Sequence, residues 1–451
     1  MTSTNNKFPQ IPRSKTILNV LKFVKNPIPI LMENVEEYGD TFFFHMGGVR
    51  YSVLSTNPDF NQHVLQKNNK NYIKSFLQTD LLARYVGDGL LTSNGDYWLR
   101  QRRLIQPGFH RKKIANLTEI INPVIDDYFK ILDLKKDEPI DICDVMMELT
   151  FTIIAKSMFS TGVNEKDVNT LGENISAVQK FLVKQIRQPY LNWWFGLSGQ
   201  EKKHVALTGI SSKIILDIIN ERKQTKAPHD DLLDMLLASK YSDTGEGMTE
   251  KQLIDESVIL FVAGHETTAN AMAWISYLLS QNPQVVEKLR QEYRENLEGE
   301  MPSFEDLKNL TYTKKVINEG MRLYPPAWIT DRVALEDDEV NGIKIPKGTM
   351  IMNFIYGAHR DPKYWTEPNK FMPERFDEEN MKQMHNFNYF PFGGGPRLCI
   401  GNNFAMMEMQ LILAYMIPRY DFSLVPNQEI IAQPLVTLRP KNGILLNLNQ
   451  L

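Results

Sequence analysis

Phe392-Gly393-Gly394-Gly395-Pro396-Arg397-Leu398-Cys399-Ile400-Gly401 is the stretch on which the reading of this chain turns. Three successive glycines followed by proline suit neither a helix nor a strand, so this is a shaped loop. From Ile400 the pattern becomes helical, with Phe404, Ala405, Met406, Met409, Leu411, Ile412 and Leu413, as far as Pro418. Cys399 therefore stands just ahead of a helix N-terminus, where the dipole and free N–H groups favour a thiolate. A thiolate there is a metal ligand or a nucleophile. Arg397, two residues earlier, offers a bidentate donor to a carboxylate or phosphate. The plainer reading is a buried structural cysteine beside a glycine turn. A nucleophile would need a histidine base, and no nearby histidine occupies a suitable place.

The rest of the composition narrows the field. The chain has 451 residues, 51 Lys+Arg against 54 Asp+Glu, and a net charge of −3. A length prior of about 150 residues per domain would suggest about three domains, without excluding one large fold. Hydrophobic residues at 42% and charged residues at 23% exclude disorder and fibrous repeats. Two cysteines, Cys143 and Cys399, exclude a disulfide framework and read as reduced and intracellular. The near-neutral balance gives no reason to expect a nucleic-acid partner. No stretch approaches the ~20 apolar residues of a membrane span. At the N-terminus, residues 17–24 are broken by Asn19 and Lys22 and stopped by Pro27 and Pro29, too short and polar for a signal or anchor. The expectation is a cytoplasmic protein, with residues 1–40 an N-terminal segment lacking a membrane anchor.

Helical patterns dominate. Strand-like runs at 41–45 and 50–54 flank Gly47-Gly48 and predict a hairpin. Strand and turn signals return at 340–351, with Asn341-Gly342 and Lys347-Gly348. A terminal hairpin is expected from 435–438 and 444–448 around Asn442-Gly443. No Gly/Ser- or Pro-rich linker divides the chain, so the expected fold is mostly α with small peripheral β-sheets, in a single domain over residues 1–451.

Three further motifs follow. Thr249 and Gln252 form a capping box opening a helix from 250 to 281, roughly 48 Å at 1.5 Å per residue. Its middle, Val258-Ile259-Leu260-Phe261-Val262-Ala263, is apolar all round and so buried. Then comes Gly264-His265-Glu266-Thr267-Thr268, where glycine costs ~1 kcal/mol against alanine and a buried acid needs a partner. This turn suits a site that binds a small ligand and passes it protons, or else a kink with a satisfied polar cluster. His265 reads as an outward-facing polar residue. Glu319-Gly320-Met321-Arg322 places Glu319 and Arg322 on one helix face ahead of Pro325-Pro326. Trp98 and Arg102, at i and i+4, can both donate to one carboxylate.

The Cys399 segment resembles the haem-binding signature of the cytochrome P450 family, Phe-x-x-Gly-x-Arg-x-Cys-x-Gly, at every fixed position. Five fixed residues at that spacing arise by chance below about one time in a thousand at average residue usage. The resemblance implies the cytochrome P450 fold, with haem b (iron protoporphyrin IX) between a long central distal helix and a proximal cysteine loop. It implies Cys399 as the axial iron ligand, Phe392 packed near the sulfur, Arg397 on a haem propionate, and Gly393 and Gly401 among the haem-binding residues. The pentad resembles the family's Ala/Gly-Gly-x-Asp/Glu-Thr segment: Ala263 and Gly264 would line the oxygen groove, Glu266 would relay protons and Thr267 would hydrogen-bond the oxygen. The family places Trp98 and Arg102 on propionates, and Arg332, in Thr330-Asp331-Arg332-Val333, matches a further propionate arginine. Glu319 and Arg322 join Arg375, in Phe371-Met372-Pro373-Glu374-Arg375-Phe376, as a buried structural triad.

The implied function is haem-thiolate monooxygenation of a lipophilic substrate: a fatty acid, terpene or steroid. The Ala-Gly-His-Glu-Thr-Thr wording resembles fatty-acid hydroxylases. By position relative to the motifs, Leu91, Ala263, Ile329, Leu435 and Val436 would border the substrate. Residues 181–195, with Tyr190, Trp193 and Trp194, read as a lid or as surface packing. Electrons would come from a separate ferredoxin or flavodoxin-type donor with its NAD(P)H-dependent reductase. Its dock is expected at Arg100, Arg102, Arg103, Arg111, Lys112 and Lys113, a cluster that reads otherwise as a solvated face. The protein is expected to be a monomer. A peroxygenase, isomerase or dehydratase is the alternative enzyme class, against which the Glu266-Thr267 pair argues, and a non-catalytic haem sensor is the alternative outside catalysis. Cys143 is expected to be an inert buried thiol.

Overall fold

The computed structural model describes residues 9–46, 50–133, 138–160, 165–225, 229–297 and 301–451. It is mostly helical with small sheets, as expected from the pattern. The chain separates into two compact units: Met1–Phe76, Asn318–Cys399 and Gln433–Arg439 form the first, and Leu77–Ile317, Ile400–Ala432 and Pro440–Leu451 the second.

The first unit is organised on a five-stranded sheet. Thr41–Met46 pairs antiparallel with Arg50–Ser55, as the hairpin reading required, though Gly47-Gly48 lies outside the described residues. Arg50–Ser55 then runs parallel to Met350–Asn353, which pairs with Thr330–Ala334, and that strand pairs with Tyr72–Ile73. Val53, Phe43, Ile351 and Tyr72 lie in its core with Phe387 and Phe390. This arrangement fixes Arg332 opposite Ile351. Asp338–Val340 and Ile343–Ile345 form a small hairpin about Asn341 and Gly342, both at positive φ (51° and 79°), the backbone that an Asn-Gly pair supplies.

The second unit is built round the helix Glu250–Ser280, 31 residues long. Thr249 accepts from the Gln252 N–H and Gln252 answers to the Thr249 N–H, so the predicted capping box is present. The long helix packs against Ile142–Phe159, Gln200–Thr225 and Asn402–Arg419. Pro418 does not stop the last of these, which runs one residue further.

The expected terminal hairpin does not form. Leu438–Pro440 pairs with Ala432–Pro434, across a turn closed by Leu435 N–H donating to the Thr437 carbonyl. Leu445–Gln450 instead lies between Tyr420–Leu424 and Ile140–Asp141. Tyr420–Leu424 lines one edge along Leu446–Gln450 and Ile140–Asp141 meets the other at Leu445 and Leu446, so its pairing lies with those strands and not with residues 435–438.

Candidate functional site

In the first unit the cysteine segment is a loop closed on itself. The Cys399 N–H donates to the Phe392 carbonyl at 2.9 Å, and Leu398 N–H donates to the Gly395 carbonyl at 3.1 Å. Gly393 and Gly395 sit at φ of 75° and 66°, where a side chain is strained. A Cβ on Gly395 would come within 2.1 Å of the Leu65 carbonyl oxygen, so the loop rests directly on the backbone of the His63–Lys67 turn. The Cys399 side chain is exposed, which overrules the reading of a buried structural thiol.

Two arginines in this unit are held where an anion belongs. Arg332 is buried, donating to Thr330 Oγ1 at 3.2 Å and to the Asp331 carbonyl at 2.6 Å. Arg397 donates to the Tyr72 carbonyl at 3.3 Å, and Tyr72 is in turn held by its hydroxyl on Asp338 at 2.7 Å. Burial, and then the like charge of Arg332, pushes Arg397 down to about 10. Burial likewise lowers Arg332, with Asp331 working against the shift. Two guanidiniums depressed by burial, one of them also by the charge of the other, suit the carboxylates of a dicarboxylic ligand. With an open thiol on the same unit, this donor chemistry fits a haem: a soft sulfur for iron and paired cations for propionates.

Behind the loop the predicted triad is assembled. Arg322 donates to both oxygens of Glu319, at 2.6 and 2.8 Å, and Arg375 Nε reaches Glu319 at 3.3 Å. Sequence reasoning missed His359. Its carbonyl accepts from Arg322 at 2.8 Å and its Nε2 accepts from the Phe390 N–H at 3.0 Å, tying the triad to the turn that precedes the cysteine loop. Burial and the neighbouring arginines hold its imidazole far below its usual range, so it is neutral. No local pattern marks such a residue, since its role rests on contacts distant in sequence.

In the second unit the long helix is buried through Val258–Phe261 and again from Thr268 onward, yet Ala263 is exposed and Gly264 and Thr267 are partly so. Among such neighbours an open strip of small residues is a place shaped for a ligand. Thr267 donates to the Ala263 carbonyl at 2.8 Å and Thr268 to the Gly264 carbonyl at 3.2 Å. Glu266 is buried. A Cβ on Gly264 would meet Ile154 Cδ1 at 2.9 Å, so helix packing also requires this glycine. His265 is not outward-facing: it is 3% exposed, with Nδ1 on the Phe261 carbonyl at 3.0 Å and its ring edge-on to Phe151. Phe151 and Phe261 make that face the cheaper one to bury.

Trp98 is buried and Arg102 partly exposed on the helix Gly95–Ile105, with Arg102 Nε on Gln106 at 3.1 Å. Arg100 stacks over Tyr241 at 3.9 Å and pairs with Asp243, which removes it from the free basic cluster; Arg103, Lys112 and Lys113 are exposed. Arg111 is exposed and stacks over Phe304. Leu91 follows Leu90, whose N–H donates to Glu256 at 3.1 Å. In the first unit, Ile329 and Leu435 are half-buried and Val436 is 42% exposed, with Trp328 Nε1 donating to the Leu435 carbonyl at 3.0 Å. Of the 181–195 stretch, Phe181 and Phe195 pack edge to face inside, while Tyr190, Trp193 and Trp194 face outward. Cys143 is half-buried rather than fully so, and burial with Asp141 keeps its thiol protonated.

The family model described as Cytochrome P450 matches residues 9–447. The chain is 32% identical over 406 residues to a Streptomyces melanosporofaciens cyclooctat-9-en-7-ol 5-monooxygenase, covering 90% of this chain and 87% of that protein. It is 30% identical to cyclooctatin synthase of the same organism, over 93% of this chain and 91% of the relative. It is also 30% identical to the Arabidopsis thaliana protein LUTEIN DEFICIENT 5, chloroplastic, over 94% of this chain and 74% of the relative.

Proposed function

The chain belongs to the cytochrome P450 family, a haem b family, and on that premise we propose that it is a monooxygenase placing one oxygen atom of O2 into a lipophilic substrate with electrons from a separate donor protein. The observation that carries the reading is the exposed Cys399 thiol on its self-closed loop, in the same unit as the Arg397 and Arg332 pair. The family model spans both units, so the reading treats residues 1–451 as one functional domain.

A thiolate-ligated haem, when bound, supplies the oxygen-activating chemistry. Cys399 would hold its iron, and Phe392 would shield the sulfur. Arg397 and Arg332 would hold its carboxylates, and the family resemblance adds Trp98 and Arg102. Ala263 keeps room open beside Thr267, whose hydroxyl can turn from the Ala263 carbonyl to a ligand oxygen. Glu266, next along the helix, is the group assigned to carry protons there.

For the substrate, the reading is a lipophile bordered by Leu91, Ala263, Ile329, Leu435 and Val436. Two of the relatives carry names built on cyclooctatin, one of them acting on cyclooctat-9-en-7-ol by its name, which supports a terpene-like compound beside the fatty acids. The donor is assigned as a small acidic ferredoxin or flavodoxin-type protein with its reductase, docking on Arg103, Arg111, Lys112 and Lys113. Among the described residues no helix is long and apolar enough to cross a membrane, which supports action in the cytoplasm.

The reduced carbon monoxide difference spectrum tests the assignment. The wild-type protein should give the thiolate-type band and Cys399→Ala should lose it; a band retained by the variant would sink the reading. Turnover with donor and reductase, but not with peroxide alone, is the expected pattern, and a lipophile panel scored by spin-state shift would name the substrate class.

A further inference from the structure

One carboxylate oxygen in the first unit gathers three donors from a single segment of chain. Asp338 Oδ2 lies 2.8 Å from His63 Nε2, 2.9 Å from Asn68 Nδ2 and 2.7 Å from the Tyr72 hydroxyl. The other oxygen, Oδ1, accepts from the Glu339 N–H at 2.8 Å. A carboxylate only accepts, so all three side chains donate, His63 through its Nε2–H. Burial pushes the Asp338 carboxyl up, but the Tyr72, His63 and Asn68 donors outweigh it and hold the group below its usual range. Burial, and then Asp338, pushes the Tyr72 hydroxyl up, which keeps its proton in place.

The three donors bracket residues 63–72. His63 opens the turn under the cysteine loop, Asn68 follows that turn, and Tyr72 begins the next strand. The segment meets the cysteine loop twice, each time through a main-chain carbonyl: that of Leu65 lies under Gly395, and that of Tyr72 accepts from Arg397. A carbonyl cannot be re-aimed without moving the backbone that carries it, so whatever fixes residues 63–72 fixes both contacts.

Arg397 needs such a fixture. Burial and the charge of Arg332 both work against its own charge, so its place is set by a held acceptor and not by a favourable field. Hydrogen bonds to an ionised group are about twice as strong as neutral ones, which suits a carboxylate to the holding.

We propose that Asp338 is a positioning residue for the haem-binding loop: it clamps residues 63–72 at both ends and so sets the Leu65 carbonyl under Gly395 and the Tyr72 carbonyl on Arg397. The inference rests on the assignment of Cys399 and Arg397 to haem, and its test tells the two apart.

Three variants of the haem-loaded full chain separate the two arms of the clamp. Tyr72→Phe keeps the ring and loses the hydroxyl. It should speed haem transfer to apoglobin about threefold to tenfold, the worth of one net hydrogen bond. His63→Phe keeps a ring edge-on to Tyr72 and loses the N–H. It should speed, by a similar factor, the conversion of the thiolate-type carbon monoxide band to the thiol type on mild heating. Asp338→Asn should do both. In the Arg397→Gln background, Tyr72→Phe should add nothing to haem loss, since the two act through one contact.

General loosening of the fold would move both readouts in all three variants and would add in either background. That result overturns the proposal, as does wild-type behaviour of Asp338→Asn. If Arg397→Gln sheds haem and Asp338→Asn does not, the clamp alone fails. If Arg397→Gln keeps haem like the wild type, or the wild type gives no thiolate-type band, the haem assignment fails and takes the clamp's role with it.

Discussion

Arg322 and Glu319 form a fully enclosed ion pair with two parallel hydrogen bonds of 2.6 and 2.8 Å, neither side chain touching solvent. The remaining Arg322 donors are used on the carbonyls of His359, Pro368 and Lys370. Neutralising Glu319 strands the Arg322 charge in a dry interior, and removing Arg322 leaves Glu319 only the Arg375 Nε at 3.3 Å and the Met372 N–H at 2.9 Å. Arg322→Met and Glu319→Gln should each cost about 3–5 kcal/mol, measured by urea denaturation. Haem retention should fall with the fold, since His359 joins the pair to the turn before the cysteine loop.

Arg397 gives an inverted pair of effects. Its folded value, about 10, lies below its ordinary range. The ligand-free folded state therefore binds fewer protons than the unfolded state between those values, and its stability should rise with pH across that window. Below it the repulsion from Arg332 is fully present. Arg397→Gln should leave the haem-free protein as stable or more so, measured by thermal melts. The same variant should lose haem about 10–100-fold more readily to a competing apoglobin, if a charge-assisted bond of about 1.5–3 kcal/mol is removed.

Thr267 carries a hydroxyl on the open strip of the long helix. Thr267→Ala should keep the carbon monoxide band while product yield per electron pair falls about tenfold or more, with peroxide rising. Product and peroxide assays on one preparation check this.

Gly264 is constrained by its neighbour. In Gly264→Ala the new methyl meets Ile154 Cδ1 at 2.9 Å. Overpacking costs about 1–3 kcal/mol against roughly 1 kcal/mol gained in helix propensity. Ile154→Val deletes the clashing methyl, so the double variant should melt higher than the sum of the single changes requires.

The basic face should act through rate. Charge reversal at Arg111, Lys112 and Lys113 should slow donor-supported turnover at low salt, and raising ionic strength should slow the wild type toward the variant, the Debye length being about 10 Å at 0.1 M. Stopped-flow reduction with the donor checks it. Insensitivity to both would remove this surface from consideration.

What could be read from the sequence follows the range of each interaction. The capping box at Thr249 and the Asn341-Gly342 turn are local, and both are where residue chemistry puts them. Helix spacing put Glu319 and Arg322 on one face, while the triad with Arg375 was legible only through the family resemblance. His265 was misread because its burial depends on Phe151, more than a hundred positions away. The terminal hairpin failed for the same reason: strands 140–141 and 420–424 outcompeted the neighbouring segment for Leu445–Gln450. Arg100 looked free until Tyr241 and Asp243 folded onto it. Patterns in sequence report what a residue can do, and distant partners choose among those options.

The contact of Gly395 on the Leu65 carbonyl joins main chain to main chain. The exposed Gln66 side chain can drift without moving the sulfur of Cys399, because it does not supply the seat, whereas Leu65 is held by the core beside Phe387 and Phe390. An insertion or deletion in residues 63–67 would shift that seat by a whole residue. Across descendants of this chain, the exposed positions of the segment can change their letters, while its length cannot change.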